Sequence, residues 1–268
     1  MKHITILLAL LLVTSLLNAQ TKETRNVSAF TKISFRIPGK LFLTQGNTQK
    51  VEIEGNTSAL KEIETEVTDG KLVIGHEDNW SFSKTNEKFN VYITVKDIDA
   101  LSVGGSGSLL GQGKFTADDI DLSVSGSGSM QIDVDASGNM EANVSGSGHM
   151  DVKGHCKNYS SDISGSGTVV VALVIVGNAD IGISGSGKTE ASGSAKKVKT
   201  QISGSGRVLA ANLETEECNV TMSGSGQVEI NVKNSLDANI SGSGTVLYKG
   251  NPSHVNGHSS GSGHVRKM

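Results

Sequence analysis

The chain has 268 residues, of which 36% are hydrophobic and only 4% aromatic, with 33 glycines, 2 prolines and a formal net charge of −3. That length can bury a sizeable core, but sparse aromatics and abundant small residues suit a narrow, layered interior rather than a broad sandwich. With no basic stripe, nucleic-acid binding lacks its electrostatic footprint.

The N-terminus reads as a secretory signal peptide, residues 1–19. Lys2 supplies the positive start, an apolar run extends from Ile4 to Leu17, and Leu17-Asn18-Ala19 places cleavage before Gln20. No cysteine lies near that point, so a lipid anchor is not expected, and no second stretch of 18 apolar residues follows. The reading implies export to the periplasm, the outer-membrane surface or the extracellular space. It leaves residues 20–268 as one continuous domain with no transmembrane span, irregular over 20–100 and repetitive over 101–268.

Residues 20–30 are polar and read as a leader. Ile33, Phe35 and Ile37 then alternate with polar residues in a first strand, Leu41 and Leu43 in a second, and Val51 and Ile53 in a third. From Ser58 to Val67 the spacing suits a helix or a strand, and a turn followed by a strand is preferred. The reason is that Thr68-Asp69-Gly70-Lys71 forms a hairpin turn into Leu72-Val73-Ile74. Glu77 to Lys88 reads as a loop, with Trp80 and Phe82 capping the end of the core or stacking on a sugar. Val91, Ile93 and Val95 make a further strand.

From there a single unit repeats. Ser-Gly-Ser-Gly begins at Ser125, Ser145, Ser164, Ser184, Ser203, Ser223, Ser241 and Ser260, with Gly104-Gly105-Ser106-Gly107 as a variant before them. The eight intervals from 104 to 260 cover 156 residues, a mean period of 19.5. Around each block the apolar residues alternate: Ile120, Leu122, Val124, Gly126, Gly128, Met130, Ile132 and Val134 share one parity. Two strands per repeat follow, with one apolar face. Both glycines of a block fall on the apolar parity, which predicts two glycine columns inside and two serine columns outside.

Two folds fit a 20-residue period: a single-stack parallel β-helix whose coils pair with one another, and an antiparallel array with Ser-Gly-Ser-Gly as hairpin turns. The near-constant period and unbroken parity favour the first, an all-β solenoid with a less regular N-terminal cap. In such a stack Cys156 and Cys218 lie three coils apart, about 14 Å at about 4.8 Å per coil, which is too far for a disulfide. Both are expected to be free thiols.

These features together resemble the head GIN domain family. They are the export signal ending Leu17-Asn18-Ala19-Gln20, the acidic strand Ile63-Glu64-Thr65-Glu66-Val67, the turn Asp69-Gly70-Lys71-Leu72, and the series of Val/Ile-Ser-Gly-Ser-Gly blocks over about residues 27–266. The family is described as auto-transporter adhesin heads or as a domain of unknown function, and is common in exported proteins of Bacteroidetes-type bacteria. The resemblance implies an exported β-helical protein and carries across no catalytic or binding residue.

No reaction is announced by the residues themselves. The spacing of a nucleophile elbow occurs in Gly257-His258-Ser259-Ser260-Gly261, but no helix follows it. The block serines read as solvated or mutually hydrogen-bonded columns. Asp119, Asp121, Asp133, Asp135 and Asp151 share the outward parity in neighbouring coils; they form a solvated acidic face that could hold Ca²⁺ or serve as paired carboxylates. His254, His258 and His264 crowd the C-terminus, and His149 occupies the repeat position of His264. No catalytic, cofactor-binding or metal-ligating residue is assigned. The expected function is a non-enzymatic structural or adhesive role at the cell envelope, toward a glycan or protein, with self-association through the coil ends. The alternative is a carbohydrate-active β-helix enzyme using the acidic face.

Overall fold

The computed structural model describes residues 21–76 and 89–268. The expected signal peptide, residues 1–19, and the expected loop from Glu77 to Lys88, with Trp80 and Phe82, lie outside the described residues. In chain order the N-terminal elements are β1 (Thr21–Thr24), β2 (Lys32–Phe35), β3 (Gly39–Gln45), β4 (Lys50–Gly55), the single turn α1 (Thr57–Leu60), β5 (Ile63–Thr68), β6 (Lys71–His76) and β7 (Phe89–Val95). The repeats follow as β8 (Ala100–Gly105), β9 (Ser108–Ala117), β10 (Ile120–Gly126), β11 (Ser129–Ala136), β12 (Asn139–Gly146), β13 (His149–Cys156), β14 (Asn158–Gly165), β15 (Thr168–Ile175) and β16 (Asn178–Gly185). The last strands are β17 (Lys188–Gly204), β18 (Arg207–Gly224), β19 (Gln227–Gly242), β20 (Thr245–Lys249), β21 (His254–Ser260) and β22 (His264–Lys267).

These strands stack as a parallel β-solenoid of about 8 turns. Strands preceding a glycine block form one ladder, and strands following it form the other. Register is kept from coil to coil: in the first ladder Val103, Val124, Val144, Ile163, Ile183, Ile202, Met222 and Ile240 align in one buried column. A one-residue slip would turn each of these side chains out to water, which is why alternation specifies the register so strongly. The interior is almost wholly aliphatic. Its buried polar residues are Ser34, Ser161, Thr189, Thr200 and Thr215.

The corner between the ladders explains the glycines, and it differs from the expectation of two inner columns. The first glycine of each block has a positive φ, 103° in Gly146, on the outward side, while the second is buried in every block but the last, where Gly263 is half-buried. A methyl on Gly146 would lie 2.7 Å from the Gly126 carbonyl oxygen, and one on Gly148 would lie 2.5 Å from Val124 Cγ1. The corner backbones are packed that closely because they hydrogen-bond coil to coil: Ser147 N donates to Gly126 O at 2.8 Å and His149 N to Gly128 O at 3.0 Å. The inner column therefore leaves room for the branched residue of the preceding coil, and the outer one makes the bend.

The N-terminal region is threaded out of sequence order. β2 pairs in parallel with both β6 and β8, and β3 with both β7 and β9. The coil made first in the chain is thus the second in the stack, slotted between β6–β7 and β8–β9. Beyond it, β5 runs antiparallel on β6, β4 antiparallel on β7, and β1 on β4. Phe30, Leu60 and Ile63 are buried there. The two-residue turn joining β5 and β6 uses Asp69 at φ 51° and Gly70 at φ 70°, as the hairpin reading requires. The polar leader of the sequence reading departs from the structure, since residues 21–24 form β1 with every residue exposed.

Cys156 and Cys218 are both free and buried, as expected. They sit in different ladders, Cys156 opposite Ile175 and Cys218 between Val198 and Leu236. At the far end β21 and β22 are almost wholly exposed, with Gly257 and Ser259 in the columns that hold Ala238 and Ile240 one coil earlier.

Candidate functional site

The outer face of the first ladder carries a groove of about 640 Å³ that spans six coils. One side is the serine column Ser125, Ser145, Ser164, Ser184, Ser203 and Ser223; the other is the column of Ser123, Asn143, Asp162, Gly182, Gln201 and Thr221. Alternation puts both columns outward, and the glycine corner ends each strand directly after the serine. With coils about 4.8 Å apart, the groove repeats hydroxyl and amide groups along roughly 24 Å. Asp162 is the one ionisable residue lining it. The hydroxyls of the serine column make no side-chain hydrogen bond among the described residues, so the mutually bonded column of the sequence reading is not formed and these groups face solvent. The nearest serine ladder that does bond lies beyond the corner, where Ser129 Oγ donates to Ser108 Oγ at 2.9 Å.

The five aspartates of the sequence reading do not converge. Asp121 projects from the first ladder, while Asp133, Asp135 and Asp151 project from the second. Asp119 is at the corner between them, where its Oδ1 accepts from Asn139 N at 2.6 Å. Parity alone placed them on one outer side, but a solenoid has more than one outer side. Asp135 instead joins Asp97, Asp99, Asp118 and His155 around a cleft of about 540 Å³. Asp97, Asp99 and Asp118 were not singled out in the sequence because they lie at the ends of coils, outside the alternating runs. Lys114 Nζ and His155 Nδ1 each approach Asp135 to 2.9 Å. Lys114 first, and then His155, hold its carboxyl below the usual carboxylate range, and the same bond raises the Lys114 pKa. Within this cluster it is Asp135 that is paired, with Lys114 and His155. Among the described residues no group of three or more His, Cys, Asp or Glu is placed to hold a metal ion.

The remaining candidates are likewise separate. His254 approaches Asp237 at 3.8 Å, His264 Nδ1 lies 3.4 Å from Ser262 O, and His149 is exposed on β13. Ser259 and Ser260 are exposed on β21, a strand and not an elbow. The two thiols are buried, which pushes Cys156 up to about 11 and Cys218 up to about 12, so neither is a thiolate nucleophile near neutrality. No helix among the described residues is long and apolar enough to cross a membrane.

Comparison with known proteins agrees with this architecture. A family model described as "Putative auto-transporter adhesin, head GIN domain" matches residues 29–191 and 162–252. Among solved structures, a "putative lipid binding protein" from Parabacteroides distasonis aligns with TM-score 0.71 at 21% identity, covering 93% of this chain and 96% of that one. A "putative adhesin" from Parabacteroides merdae aligns with TM-score 0.70 at 21% identity, with the same coverages. A second "putative adhesin" from Parabacteroides distasonis aligns with TM-score 0.68 at 22% identity, covering 93% and 97%. At these identities the likeness is one of fold. The search of curated proteins finds no match. The chain belongs to the head GIN domain family of adhesin-like β-solenoid proteins.

Proposed function

We propose that this is an exported, non-catalytic binding protein of the cell envelope that holds an extended glycan or protein segment along the groove of its first ladder. The observation that carries the reading is the groove itself: a column of outward serine hydroxyls in register over six coils beside the amides of Asn143 and Gln201, with no side-chain hydrogen bond to these serines among the described residues and one carboxylate, Asp162. A rigid array of this kind matches a chain-like ligand that repeats its own polar groups. The family's adhesin description supports the same direction. The dispersal of the acids argues against a paired-carboxylate hydrolase, whose two groups must flank one bond. The outer edges of β21 and β22 have no partner strand among the described residues, and their histidines and basic residues limit self-association there.

The test places a bulky side chain in the groove. Ser184→Trp fills its middle, whereas Ser127→Trp decorates the exposed corner outside it. Binding to a panel of envelope polysaccharides and surface proteins is expected to fall at least 10-fold for Ser184→Trp and to persist for Ser127→Trp. Equal binding by both variants would refute the groove.

A further inference from the structure

Half-buried leucines such as Leu110, Leu209 and Leu247 interrupt the polar pattern of the outer surface, and one coil breaks it over four successive outward positions. Along β15 the outward positions are Val170, Ala172 and Val174, and Val176 continues the line into the corner. Val174 is 56% and Val176 71% exposed. In the coils on either side the same positions are polar: Asp151, Lys153 and His155 before, Glu190, Ser192 and Ser194 after. Gly177 N donates to Lys157 O and Gly177 O accepts from Lys196 N, so Val176 lies between two corner lysines. A cleft of mixed character, about 260 Å³, opens beside it, walled by Ile175, Val176, Ala195 and Lys196 and also by Glu214, Glu216 and Lys233, of which Lys233 is paired with Glu214. A regular repeat that drops its rule on one strand, at the cost of exposing apolar surface, marks that strand for a partner.

The shape and charge of the stripe select that partner. From Val170 to Val176 it is about 20 Å long and one coil, about 4.8 Å, wide. A peptide strand has no edge to join, because β15 is already paired on both sides with β13 and β17. A helix packed on a sheet needs a bed closer to 10 Å wide. A bilayer would press Asp151 and Glu190 into apolar surroundings. A single alkyl chain fits the width. Lys114, Lys188, Lys197 and Lys233 on this side of the molecule are each paired with a carboxylate. Lys153, Lys157 and Lys196, which frame the stripe, have no ion pair among the described residues. We infer that the β15 stripe binds an anionic amphiphile with one acyl chain, the chain lying on Val170, Val174 and Val176 and the acidic head at Lys157 and Lys196. This inference stands independently of what the groove binds.

The experiment titrates the folded chain with sodium dodecanoate below its micellar concentration and follows the Val170 methyl and the β15 backbone amide resonances, which every variant retains. Saturable shifts are expected, weakened at least 10-fold by Val174→Ser/Val176→Ser and several-fold by Lys157→Gln/Lys196→Gln, with acetate producing none. All four side chains are on the surface, so the variants keep the core, as a thermal melt will verify. Shifts that are unchanged in the serine variant, or equal with acetate, overturn the inference. So does a response confined to phosphatidylglycerol vesicles or to an acidic Val-rich peptide, since each would put a different occupant on the stripe.

Discussion

Gly146→Ala and Gly113→Ala make the same demand on the backbone, a side chain at φ 103° or 89°, in different surroundings. Nothing lies within 4 Å of a methyl at Gly113, whereas at Gly146 the Gly126 carbonyl oxygen stands 2.7 Å away. The left-handed conformation alone costs about 1–2 kcal/mol. Overpacking adds about 1–3 kcal/mol, giving roughly 2–5 kcal/mol at Gly146. Urea unfolding of the two variants should separate them, and equal costs would mean that the corner relaxes. Asp135 offers a second test. Its folded pKa is depressed, chiefly by Lys114, so the stability it contributes is present above the unfolded value and is lost as pH falls through the folded one. Lys114→Met should raise the Asp135 pKa in a carboxyl NMR titration. The stability gap between variant and parent should close below about pH 4. The thiols should resist Ellman's reagent at pH 8 in the folded chain and react in guanidinium; reaction of the folded chain would contradict their burial.

At the scale of elements, what was legible followed from local pattern. Alternation from Ile120 to Val134 fixed strands, faces and register. The pair Asp69-Gly70 fixed a hairpin because few other residues accept two successive positive φ angles. The threading of β2–β3 between β6–β7 and β8–β9 was not legible: all three coils carry similar apolar edges, and which edge joins which is decided by the whole stack. β1 escaped notice because Thr21-Lys22-Glu23-Thr24 has no apolar face; it only lies along the edge of β4. The groove was half legible. Parity gave the serine column, but the separation of Asp121 from Asp133 depends on the bend between ladders, which alternation does not encode. Register can be tested directly. Ser164 and Ser184 are partners in adjacent coils, so Ser164→Cys/Ser184→Cys should oxidise to a disulfide. Ser164→Cys/Ser203→Cys spans two coils, about 9.6 Å, and should not. The reverse result would deny the parallel stack.

The whole molecule is a rod whose interior is uniform and whose surfaces differ. One end is closed by antiparallel strands and by Phe30 and Leu60. The other presents edges set with His254, His258, His264, Arg266 and Lys267, the charged trimming that discourages sheets from joining. His258→Val/Arg266→Val/Lys267→Val should therefore associate with concentration in sedimentation velocity more strongly than the parent; no difference would assign the protection elsewhere. Between the ends, an ordered face of hydroxyls suits holding a chain better than cutting one, because no pair of free carboxylates among the described residues faces the groove. The most direct measurement incubates the purified chain with the envelope polysaccharides it retains and sizes them afterwards. Retention with no shortening is expected, with retention lost in Ser184→Trp. Shortened products from the parent chain would contradict it and return attention to Asp162 in the groove.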